Sequence, residues 1–197
     1  MTTGLEQLPE DLPVPIDDGA ADHLVGLDLP AVVLSDAAGG GRPLTSFTTR
    51  WLVIYVYPRT GGPSVSLPDD WDLIPGARGC TPQSCAFRDH HAEMQDLGAT
   101  VMGLSGQPIE EQTEFAERMH IPFPLLNDRT FELAGPPLRL PTFTANGLIL
   151  YKRLTLIADA AGIRHVIYPV FPPDQNAADV IEWLSRHDRS ENDAGDG

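Results

Sequence analysis

Cysteine and lysine are nearly missing from this sequence of 197 residues: Cys80 and Cys85 are its only cysteines and Lys152 its only lysine. Two cysteines do not make a disulfide framework, and a chain of this length buries about 70% of its unfolded surface without staples. With a formal charge of −15 the chain lacks the basic density that sequence-independent binding to phosphate backbones requires. Nucleic acid is therefore not an expected partner. Long apolar runs are missing too. The longest, Trp51-Leu52-Val53-Ile54-Tyr55-Val56-Tyr57, has seven residues, against about 20 for a bilayer crossing. No basic, then apolar, N-terminal segment is present, and no internal repeat. These absences lead to the expectation of one soluble, cytoplasmic domain with reduced thiols and no membrane partner.

The two cysteines that are present lie five apart, in Gly79-Cys80-Thr81-Pro82-Gln83-Ser84-Cys85-Ala86-Phe87-Arg88-Asp89. Thr81-Pro82 suits a helix start, since Thr caps and proline is tolerated in the first turn. A thiol at that place meets unpaired N–H groups and the positive end of the helix dipole, which favour its ionised form. Residues five apart on a helix are separated by roughly 8.6 Å between Cα atoms, whereas a disulfide needs about 4.4–6.8 Å. The pair can bond only if the first turn unwinds, which fits thiols that cycle between open and closed states. Buried structural thiols and a metal site built from Cys80, Cys85, His90 and His91 are the alternatives, but this spacing matches no common zinc pattern.

Around that stretch, strands and helices alternate. Residues 1–22 are acidic and proline-containing and read as an extended or mobile arm, residues 23–187 as the folded domain, and residues 188–197 as a disordered acidic tail. Strands are expected at Ala31 to Leu34, Trp51 to Tyr57 and Thr100 to Leu104, and a hairpin from Leu148 to Ile157 and Ile163 to Val170. Helices are expected from Cys85 to Leu97, Pro108 to His120 and Asn176 to Arg186. This is an α/β layered order with a central mixed sheet flanked by helices. An insertion at about 61–77, rich in glycine and proline and carrying Trp71, interrupts it. Loops of that length are usually lids or disordered.

Taken in order, several blocks resemble the peroxiredoxins, specifically the peroxiredoxin Q or bacterioferritin-comigratory-protein type. They are Tyr55-Val56-Tyr57-Pro58, the cysteine stretch Gly79 to Asp89, Gly103-Leu104-Ser105, Glu114-Phe115-Ala116, Ile121-Pro122-Phe123-Pro124-Leu125-Leu126-Asn127-Asp128, and Arg153-Leu154-Thr155-Leu156-Ile157 with Gly162-Ile163. The resemblance spans roughly residues 23–187 and implies a thioredoxin-like fold and reduction of hydrogen peroxide or organic hydroperoxides. It implies that Cys80 is the peroxidatic and Cys85 the resolving cysteine, with a thioredoxin-like or low-molecular-weight thiol as reductant, a monomer or homodimer, and no cofactor or metal. The chemistry agrees. A thiolate attacks one peroxide oxygen while the other leaves with negative charge, so a fixed cation such as Arg153 must face that oxygen.

In two places the sequence departs from the family pattern. Ala77 stands where the family carries a threonine or serine hydroxyl three residues before the peroxidatic cysteine, so either Thr60 folds back to supply it or the site works without it. Leu140-Pro141-Thr142 resembles a thioredoxin cis-proline segment and brings Arg139 as a rival cation. A rival function is a thioredoxin-like redox-sensing or binding protein with little peroxidase turnover.

Overall fold

The structure is a computed structural model and describes residues 8–192 other than 10, 48, 64, 66 and 69, with side chains to residue 188. Its centre is β3 (Trp51–Val56), six consecutive buried residues. Such a strand has both faces covered and needs no alternation of apolar and polar residues. In chain order the strands are β1 (Val33–Asp36), β2 (Gly41–Pro43), β3, β4 (Ala99–Ser105), β5 (Leu125–Asn127), β6 (Thr142–Ala145), β7 (Leu148–Tyr151), β8 (Leu154–Asp159) and β9 (Gly162–Ile167). Seven form one sheet in the order β2-β1-β5-β4-β3-β8-β9, while β6 and β7 form a separate hairpin. β3, β4 and β5 run parallel and β8 lies antiparallel to β3, so the sheet is mixed.

Four α-helices, α1 (Cys80–Asp89), α2 (His91–Asp96), α3 (Ile109–Met119) and α4 (Asn176–Asn192), all feed one core. Phe87, Met94, Phe115, Met119, Val180 and Leu184 meet the odd-numbered β3 residues Trp51, Val53 and Tyr55 there. On the other face Leu52, Ile54 and Val56 pack with Leu24, Leu34, Leu138 and Leu140, from chain that is mostly irregular. Alternation of side chains along the strand assigns its residues to these two cores. Phe87 ties α1 to the sheet, its ring stacked on Tyr55 at 4.4 Å.

Several boundaries differ from the sequence reading. The helix expected to open at Cys80 and continue to Leu97 does open there but divides at His90. The strand expected from Leu148 to Ile157 is two strands in different sheets, broken at Lys152-Arg153. The final helix runs to Asn192, into the stretch expected to be disordered; residues 193–197 lie outside the described residues, as do residues 1–7 of the arm. The described part of the arm lies against the domain: Ala21 is buried, and Asp18 accepts hydrogen bonds from Lys152 Nζ and, at 2.6 Å, from Tyr168 Oη. The 61–77 insertion does have a core, in which Trp71 and Ala77 pack with Ala145 and Leu150 of the β6–β7 hairpin. Leu140–Pro141 is not cis; the cis bonds precede Pro137, Pro169 and Pro172.

Candidate active site

Cys80 opens α1, and the geometry of that helix start is set by Gly79. Its φ of 104° lies in the left-handed region, and a Cβ there would stand 2.6 Å from Pro173 Cγ. Only glycine fits this turn. No side chain caps the helix, so Thr81, expected to cap it, is instead a buried first-turn residue. The amide of Gln83 bonds back to the Gly79 carbonyl at 3.0 Å and closes the first turn. Cys80 is 3% exposed, and its thiol points to the Ala77 carbonyl at 3.6 Å.

Arg153 reaches that sulfur because β8 runs antiparallel to β3, with Leu154 opposite Val56, so the residue before β8 lies where β3 ends. Its Nη2 donates to Cys80 Sγ at 3.2 Å and to the carbonyls of Gly76, Ala77 and Arg78 at 3.2, 3.1 and 3.1 Å. Its Nη1 donates to Gln83 Oε1. Arg153 is 3% exposed, and among the described residues no carboxylate pairs with it. A buried cation without a counter-ion leaves its field for negative charge that develops at the sulfur or at an oxygen beside it.

Cys85 lies five residues along the same helix, and both cysteines are thiols with no disulfide between them. Thr60, the other candidate, is buried but committed elsewhere. Its amide donates to Gln107 Oε1 at 2.8 Å, and its hydroxyl accepts from Gln107 Nε2 at 2.9 Å rather than reaching Cys80. Thr60 thus does not supply the missing hydroxyl to Cys80 in this arrangement. Arg139 is exposed, with a left-handed φ of 47°, and does not bond the sulfur. His90 pairs with Glu93 at 3.1 Å, while His91 lies against Phe123, where burial lowers its pKa.

The sequence reading missed Gln83, a fully buried residue that joins Arg153 to Asn176. Its place one turn beyond Cys80 was the available signal, since polar residues on the inward face of a helix need buried partners. Outside the sulfur, a crevice of about 10 Å³ is lined by Arg59, Gly61, Leu67, Trp71, Arg78 and Thr81. That is room for about one water. On the other side of Arg153 lies a larger cavity of about 250 Å³, with Ile16, Ile74, Phe143 and Val170 in its wall.

Comparison with known proteins gives a consistent result. The family model described as the AhpC/TSA family matches residues 73–136. Peroxiredoxin Q, chloroplastic, of Sedum lineare is 29% identical over 158 residues, which are 79% of this chain and 74% of that protein. The rice protein of the same name (Oryza sativa subsp. japonica) is 30% identical over 162 residues, 81% of this chain and 65% of its own length. Among solved structures, the peroxidoxin BcpB of Mycobacterium tuberculosis superposes with a TM-score of 0.67 at 25% identity, over 83% of this chain and 97% of that one.

Proposed function

We propose that this chain, which belongs to the AhpC/TSA family as a peroxiredoxin of the Q type, reduces hydroperoxides with Cys80 as the attacking thiol and Cys85 as the resolving one. The observation that carries the assignment is Arg153 Nη2 at 3.2 Å from Cys80 Sγ, buried and, among the described residues, without a carboxylate partner. The Cys80 thiolate attacks the terminal oxygen of R–O–O–H. The S–O bond forms as the O–O bond breaks, and its electron pair leaves on the RO oxygen, whose charge Arg153 faces until it is protonated to ROH. Cys80 becomes a sulfenic acid. The Cys85 thiolate then attacks the Cys80 sulfur, the S–S bond forms, and hydroxide leaves and takes a proton as water. A dithiol or two low-molecular-weight thiols reduce the disulfide and become oxidised in turn.

In α1 the two sulfurs lie on one continuous helix, so resolution requires its first turn to open. The working reductant is read as a thioredoxin-like protein or a small thiol, and the compartment as a reducing, cytoplasmic one, supported by a chain with only two cysteines. Stopped-flow oxidation tests the assignment. Cys80→Ser abolishes peroxide consumption, whereas Cys85→Ser reacts once and accumulates sulfenic acid. Loss of the first oxidation in Cys85→Ser would reverse the roles, and a wild-type rate no faster than that of cysteine in solution would leave the redox-sensing reading.

A further inference from the structure

The hydrogen bonds around Cys80 continue through Gln83 to the start of α4. Gln83 is fully buried, and the two ends of its amide face different partners. Oε1 accepts from Arg153 Nη1, and Nε2 donates to Asn176 Oδ1 at 2.9 Å. The same Asn176 oxygen accepts from Thr155 Oγ1 of β8 at 2.7 Å. A reversed Gln83 amide would set an N–H₂ group against the guanidinium, donor against donor, and would turn its oxygen toward that of Asn176. The donor-only guanidinium and the doubly engaged Oδ1 thus hold the Gln83 amide from both ends in one orientation. Asn176 is itself fully buried, and among the described residues its Nδ2 finds no acceptor. A buried donor left unpaired costs stability, so packing alone does not account for an amide at this position.

We propose that Asn176 is a positioning residue for the first oxidation step, acting through Gln83 to hold the Arg153 guanidinium against Cys80 Sγ. It rests on the thiol peroxidase reading given above. The geometry separates the two steps of the cycle. Gln83 sits in the turn of α1 that opens before Cys85 reaches Cys80, so the Gln83–Asn176 bond belongs to the closed arrangement that meets peroxide. Its loss slows oxidation and does not slow disulfide formation.

The test follows loss of the Cys80 thiol under excess hydrogen peroxide by rapid quench and mass spectrometry, in a Cys85→Ser background. Asn176→Leu, which keeps the branched shape and removes the acceptor of both bonds, slows this step by roughly 10–10², the scale of a small misplacement of a catalytic group. Added to Gln83→Leu, the same change has less than about twofold further effect, because the path through Gln83 is already cut. With Cys85 restored, Asn176→Leu forms its disulfide from the sulfenic acid at least as fast as the wild type. Independent, multiplying losses in the double variant, an unchanged oxidation rate in folded Asn176→Leu, or slower disulfide formation would overturn the proposal. Circular dichroism establishes folding. If Asn176→Leu does not fold, Thr155→Val, which removes one of the two donors to Oδ1, is combined with Gln83→Leu and read against the same criteria. The Cys85→Ser parent is measured first: a rate equal to that of cysteine in solution refutes the peroxidase reading itself, whereas a fast parent with multiplying losses refutes only the role of Asn176.

Discussion

At the scale of the residue, the active site depends on one charge and the groups that aim it. Arg153 gives four of its contacts through Nη2, three to backbone carbonyls and one to sulfur, so the loop of residues 76–78 and the thiol compete for the same nitrogen. Arg153→Met removes the charge and keeps much of the apolar stem. It is expected to slow the first oxidation by roughly 10²–10³, as when one preorganised electrostatic partner is lost. An unchanged rate in Arg153→Met, with a loss in Arg139→Met, would transfer the role to Arg139. Both cysteines and Arg153 were legible in the sequence because each sits in a block with its own local signature. Gln83 and Asn176 were not, since a buried amide follows no period and the segments that hold the pair are 93 residues apart.

At the scale of the element, the 61–77 segment covers the site that α1 and Arg153 build. Gly61, Leu67 and Trp71 line the crevice over Cys80, and Trp71 is 3% exposed. A crevice of about 10 Å³ does not admit an organic hydroperoxide, so its lining, Trp71 included, has to open for one to enter. In a variant carrying Trp51→Phe and Trp183→Phe, the emission of Trp71 is expected to differ between the dithiol and disulfide forms. Identical spectra, with unaltered kinetics after the segment is shortened, would make it a passive insertion. The sequence marked this segment as irregular but did not show its packing. Trp71 finds its partners on the β6–β7 hairpin, which lies some 75 residues further on, and of which only β7 was read as strand, joined to β8 in one long run. Two adjacent cations, Lys152 and Arg153, marked the break in that run, because one of them turns inward and the other stays partly exposed.

Across the whole molecule, the arm and the active site share a wall. Pro15 and Ile16 line the same cavity as Arg153, and Asp18 anchors the arm to the neighbouring Lys152. Bonds from Lys152 and Tyr168 bring the Asp18 carboxyl from an ordinary 3.8 down to about 2. A carboxyl depressed on folding contributes stability that is present above its unfolded value and lost as pH falls through its folded value. The window here lies between about pH 4 and pH 2. Asp18→Asn is therefore expected to lower the urea midpoint slightly at pH 6, with the difference from wild type closing as pH falls toward 2. A difference that stays constant over that range would separate arm docking from this ion pair. The exposure of both partners keeps the effect small.

Lys152 is the only lysine of the chain, and the arm partly covers it. An acylating reagent directed at amines thus has one side chain to find, at the residue next to Arg153. Acylation there removes the charge that Asp18 pairs with, so a single labelling reaction both reports how far the arm shields its anchor and releases that anchor once it has reacted.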